Sequence, residues 1–139
     1  SYQIDFMHMG YTLTQKLIDF RHSRIACLMK ENNPRSELVR EGYRKCLYDN
    51  QIPYDHQLEL YVTDEDCCSK MMTYHVTGIV SSHYAAALTL YEQLDQLHYN
   101  VPSDFSLVSL KNDISDAGAF PHISGLEIPY GKFGCYICD

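Results

Sequence analysis

Between Gly78 and Lys111 the sequence reads strand, helix, strand, and this stretch restricts the chain to few folds. Gly78-Ile-Val80 is a short apolar run closed by Ser81 and Ser82. Leu88, Tyr91, Leu94 and Leu97 then recur at helical spacing among Ala and Leu neighbours, an apolar stripe that reads as mostly core. Asn100 and Pro102 stop the helix, and Phe105 to Leu110 forms a second apolar run. A parallel βαβ unit needs roughly 30 residues, which this stretch supplies. Ligands of such units sit in the crevice at the carboxyl ends of the strands. Ser81, Ser82 and His83, with Lys111, Asn112 and Asp113, therefore stand where function is expected.

The same alternation extends to both sides. Ser1 to Ile4 reads as the tail of a strand closed by Asp5, and Gly10 to Phe20 as an amphipathic helix. Arg24 to Met29 is a buried strand by its apolar run. A helix follows, with Ser36 as N-cap, running to about Asn50, with Leu38, Val39, Tyr43, Cys46 and Leu47 inward. Gly42 within it costs about 1 kcal/mol against alanine, which suggests a close approach to the sheet. Leu58 to Val62 alternates as a strand, and Thr63 to Tyr74 reads as a short helix opened by acidic residues. Beyond Lys111 come a loop, a final strand at Ile123 to Ile128, and a terminal helix from Tyr130 to Asp139. Strands alternating with helices predict an α/β fold with a mostly parallel sheet, in a single unit over residues 1–139.

Composition narrows the function classes. The net charge of −7 and pI near 5.4 make these 139 residues a poor surface for holding a phosphate backbone unaided. No apolar run approaches the roughly 18 residues of a membrane span. The six cysteines include the adjacent pair Cys67-Cys68, which suits no simple disulfide framework, so they read as reduced thiols of a cytoplasmic protein. Cys135-x-x-Cys138 lacks a second ligand pair for zinc and ends the chain, where a thioredoxin-like pair would follow a first strand. No catalytic constellation, metal motif or phosphate loop is present, so neither enzymatic activity nor a cofactor is expected.

Five segments, in order along the chain, resemble the LacI/GalR family of bacterial transcription regulators. They are Asp5 with Met9-Gly10-Tyr11 and Lys16-Leu-Ile18; Arg21-His22 with Ile25-Ala-Cys-Leu28; Arg40-Glu-Gly42-Tyr43 with Leu47; Val101-Pro102-Ser-Asp104-Phe-Ser106-Leu-Val108; and Ile123 to Pro129 with Gly134. The resemblance implies a doubly wound, mostly parallel sheet flanked by helices, forming one lobe of a periplasmic-binding-protein-like domain. It implies that residues 1–139 are mainly the second lobe of an effector-binding domain, without the first lobe and the DNA-binding head. The function so implied is effector sensing and dimerisation in a cytoplasmic repressor, with DNA bound through the head and the helix before Asn100 helping to form a homodimer. The alternative is a solute-binding protein of a sugar transport system, which shares the fold.

The family's effector residues carry over unevenly. The arginine expected three residues before the glycine is Val39 here, with Arg40 one position off. Where the family has Asn-Asp after the strand at Gly78, this chain has Ser82-His83; where it has Asp-Asp after the next strand, this chain has Lys111-Asn112. An aspartate accepts hydrogen bonds from sugar hydroxyls, whereas lysine only donates. The expected ligand contacts are therefore Ser82, His83, Lys111, Asn112, Arg40 and Tyr61, the last by stacking, around a small molecule that is sugar-like or anionic. For Ser82 the competing role is that of helix cap; for Lys111 it is a solvated end or a pair with Asp113 or Asp116.

Overall fold

In a computed structural model, which describes residues 4–111 and 122–128, the first helix starts earlier than its periodicity predicts. The strand tail expected over Ser1 to Ile4 falls mostly outside the described residues, and Asp5 itself is a helix cap. Its Oδ1 accepts the His8 amide at 2.9 Å and caps α1, Phe6–Asp19, which runs straight through Gly10. The strand β1, Ile25–Met29, is buried along its whole length. Asn33, rather than Ser36, caps α2, Pro34–Asp49, by accepting the Ser36 amide at 3.0 Å, and Pro34 supplies the first helical turn.

The two helices α1 and α2 cross at backbone distance. Gly10 lies against the backbone of Val39, and Gly42 against that of Met7 and Tyr11. A Cβ on Gly42 would stand 2.7 Å from the Tyr11 amide nitrogen and closer still to the Met7 carbonyl oxygen. The close approach that Gly42 permits is thus to α1, not to the sheet. Leu38 points outward and is 38% exposed, while Val39, Tyr43, Cys46 and Leu47 are buried as expected.

A 3-10 turn at His56–Leu58 replaces the start of the expected strand, leaving a short β2, Glu59–Tyr61. Arg44 of α2 clamps Glu59 with two hydrogen bonds of 2.6 and 2.7 Å, and Tyr54 donates to the same carboxylate. The acidic run 64–66 lies before the helix rather than in its first turn, with Asp66 at the N-cap position and Asp64 paired with Lys70 at 3.4 Å. The helix α3 is accordingly shorter than expected, Cys67–Thr73.

The opening βαβ unit is β3, Gly78–Ser81, α4, Tyr84–Gln96, and β4, Ser106–Lys111. The core face of α4 is Tyr84, Ala86, Ala87, Leu90 and Leu94. Leu88 and Tyr91 only flank it, and Leu97 is 53% exposed, so the predicted stripe is rotated toward solvent. The last described strand is β5, Ile123–Glu127. All pairings are parallel, in the order β2-β1-β3-β4-β5.

Alternate residues of each strand feed two cores. Ile25, Cys27, Met29, Val80, Val108 and Leu110 pack under α1 and α2. Ala26, Leu28, Leu60, Ile79 and Leu107 pack under α3 and α4. Helices therefore cover both faces, the doubly wound arrangement in which central strands read as continuous apolar runs. Among the described residues the cysteines are free thiols. Burial is the largest cause that pushes Cys46 up to about 11 and Cys67 to about 12. No described helix is long and apolar enough to cross a membrane.

At the amino end of the sheet His22 ties three segments together. Its Nδ1 is 2.8 Å from Thr77 Oγ1 and its Nε2 3.0 Å from Ser106 Oγ, bridging the approaches to β1, β3 and β4. Desolvation lowers its pKa below the ordinary 6.5. A depressed imidazole contributes stability that is fully present above the unfolded value and is lost as pH falls from there through the lower folded value. The wild-type urea midpoint is expected to fall more steeply between about pH 7.5 and 5.5 than that of His22→Gln. Parallel pH profiles for the two proteins would contradict this role.

Candidate functional site

The strand order reverses at β1, so the chain leaves the carboxyl ends of β1 and β3 in opposite directions and opens a crevice between them. The loop after β1 leads into α2, and the loop after β3 leads into α4. A chain of buried hydroxyls closes its floor. Ser36 Oγ accepts the Lys30 amide at 3.0 Å and lies 2.8 Å from Ser82 Oγ, which lies 2.7 Å from His83 Nδ1. One proton order lets each hydroxyl both accept and donate: Lys30 N–H to Ser36, Ser36 to Ser82, Ser82 to Nδ1. In that assignment His83 is neutral and carries its proton on Nε2.

Ser82 therefore does not serve as the cap of α4. The N-cap is His83, and its side chain makes no capping hydrogen bond. The Ser82 amide extends the β1–β3 pairing by donating to Leu28 O at 3.1 Å, and Ser81 Oγ donates to His83 O at 2.7 Å. These bonds hold the backbone between β3 and α4 in one conformation, so His83 and the first turn of α4 are presented rigidly at the rim.

Lys111 ends β4 beside this turn. It is only 6% exposed, and its Nζ lies 5.8 Å from the centroid of the Tyr84 ring, in the first turn of α4. Neither a solvated end nor a pair with a described carboxylate accounts for it. Glu127 is its register partner on β5 but forms no ion pair with it. Asp113, Asp116 and the candidate Asn112 lie outside the described residues, as do Cys135, Cys138 and the expected terminal helix.

Ser82, His83 and Lys111 are thus brought together around the start of α4. Tyr61 and Arg40 are not. Tyr61 ends β2, separated from β3 by β1, and packs half-buried against the core under α1 and α2. Arg40 lies one helical turn before Arg44, on the flank of α2 that faces β2, with its Nε buried and without a hydrogen-bond partner. Val39, at the position where the resemblance expects arginine, is fully buried between helix and sheet and does not reach the crevice.

Three rim residues escape a sequence reading. Ser36 reads as a helix cap, yet its hydroxyl joins the loops after β1 and β3. Arg35, 9% exposed, stacks its guanidinium 5.0 Å from the Phe6 ring centroid. Tyr84, which the sequence does not single out, is buried in the core and supplies the aromatic face under Lys111. The usable signal was position, since the turn after β1 borders the point where strand order reverses. Among the described residues no group of His, Cys, Asp and Glu could hold a metal.

The fold has counterparts among known proteins. Residues 14–139 match the profile of a family described as the periplasmic binding protein-like domain. Comparison with curated proteins returned no match. Among solved structures, the transcriptional repressor ascG of Escherichia coli is 21% identical, with a TM-score of 0.80 over 91% of this chain and 49% of its own. The transcription regulator CcpA of Lactococcus lactis is 24% identical, with a TM-score of 0.76 over 87% and 47%. A LacI family regulator from Enterococcus faecium, with bound ribose, is 22% identical, with a TM-score of 0.73 over 86% and 47%. The chain spans about half the length of these structures.

Proposed function

We propose that this chain, which belongs to the periplasmic binding protein-like domain family, is the effector-sensing region of a bacterial transcription regulator. It forms one side of a cleft for a small molecule, mainly as the second lobe of the effector-binding domain. A small molecule that closes this side against its partner lobe shifts the population of DNA-binding states. DNA contact belongs to a head domain, in keeping with the acidic charge of −7 here. The observation that carries this reading is the crevice itself. Ser36, Ser82 and His83 form a hydrogen-bonded, rigid polar floor where β1 and β3 diverge.

The solute-binding alternative shares the fold. The regulator is favoured by the regulators found among similar structures and by the free thiols of Cys27, Cys46, Cys67 and Cys68, which suit a reducing cytoplasm. A homodimer fits the exposed Leu97 and Tyr99 after α4.

The test uses the intact protein, melted with a panel of sugars and sugar derivatives. At least one compound should raise the melting temperature, since a ligand at 100 times its Kd adds about 2.7 kcal/mol. Genomic DNA fragments should be retained by the same protein, and the stabilising compound should change their retention. Ligand binding without DNA retention would transfer the assignment to solute transport.

A further inference from the structure

We infer that the crevice takes an oxyanion, a phosphate or carboxylate carried on a small polar molecule, between Lys111 and the first turn of α4. This deepens the effector-sensing reading and rests on it.

Two independent features converge on the place. The first is the helix. Its first intrahelical bond is from the Ala87 amide to His83 O at 3.1 Å, and the His83 side chain does not cap the turn that precedes it. An α-helix leaves its first amides unsatisfied and its amino end partially positive, a pairing that favours anions. The second is Lys111. Its side chain is more than nine-tenths buried, and its ammonium is directed at Tyr84 in that same turn. Among the described residues it has no hydrogen-bond acceptor and no ion pair. An aromatic face compensates a buried ammonium only in part.

The neighbouring groups add to the selection. Ser82 Oγ gives its proton to His83 Nδ1 and accepts from Ser36, and no described contact joins it to the ammonium. Lysine has three donors and no acceptor, so the Lys111 side chain offers nothing to a ligand's hydroxyl protons. A ligand presenting acceptor oxygens meets the ammonium and the helix amides together. Glu127, across the strand pair, is exposed and forms no ion pair with the ammonium.

The experiment titrates the intact protein with ribose 5-phosphate, glucose 6-phosphate, gluconate, ribose, glucose and inorganic phosphate. An acid-bearing probe should bind at least about tenfold more tightly than its neutral parent, and raising the salt tenfold should weaken that probe alone. Preference for the esters identifies phosphate; preference for gluconate identifies carboxylate. Lys111→Met should abolish the preference, and Lys111→Arg should retain most of it. If Lys111→Met does not fold, the arginine variant and the salt dependence decide. Equal binding of neutral and acidic probes, or a preference that survives in folded Lys111→Met, overturns the inference and leaves effector sensing standing. Inorganic phosphate matching the esters would mean an adventitious ion only and overturns it as well. If no probe binds and DNA retention never responds to a small molecule, both readings fall together.

Discussion

Gly42→Ala is expected to destabilise the fold by about 3 kcal/mol or more, at the upper end of what one added methyl costs in a packed interior. The added Cβ would meet the Met7 carbonyl and the Tyr11 amide of α1. These are backbone atoms within a helix, so no side-chain rotation relieves the clash. The two helices would have to move apart, and the reciprocal contact of Gly10 with Val39 would open with them. Because domains are stable by only about 5–15 kcal/mol, such a loss would be plain in urea unfolding as a large drop in midpoint at unchanged slope. A shift below about 0.5 kcal/mol, the usual range of a surface substitution, would show that the crossing is looser than described.

Tyr43→Ala should cost a comparable or larger amount, about 3–5 kcal/mol, as other buried aromatic truncations do. Tyr43 is fully buried under α1 and α2, and its hydroxyl donates to the carbonyl of Ile25, the first residue of β1. Burial, the largest cause, raises its pKa, so it stays a protonated donor throughout the working pH range. The single bond can be separated from the packing. Tyr43→Phe keeps the ring and leaves a buried carbonyl without this donor, for which about 1–2 kcal/mol is expected. Should Tyr43→Phe and Tyr43→Ala lose the same amount, the hydroxyl rather than the ring anchors α2 to the sheet.

The βαβ core was legible in the sequence because β3 and β4 are buried on both faces and show as unbroken apolar runs. Periodicity was less informative at helix ends. Asp5 and Asn33 cap α1 and α2 through side-chain bonds to amides three residues on, which apolar spacing does not register. Leu38 and Leu97 were assigned inward for being leucine, while Ala86 and Ala87 hold the core positions of α4 because small residues let the helix sit close to the strands. At the site, Ser82, His83 and Lys111 were locatable from topology, each being at the end of a strand. Ser36 was not, because its hydroxyl meets a partner 46 positions away, a contact without any local pattern. Arg40 was drawn in by its neighbourhood in sequence, although its helix turns it toward β2.

The shortness of β2 bears on how copies of this molecule meet. That strand is the border of the sheet on its side, has three residues, and its Glu59 is held by Arg44 and Tyr54. A border so brief offers few unpaired backbone groups, and a clamped charge on it discourages a foreign strand from adding there. Growth by strand addition, the route to fibrous aggregates, is therefore poorly templated along β2, and association on that side of the molecule is left to helix surfaces.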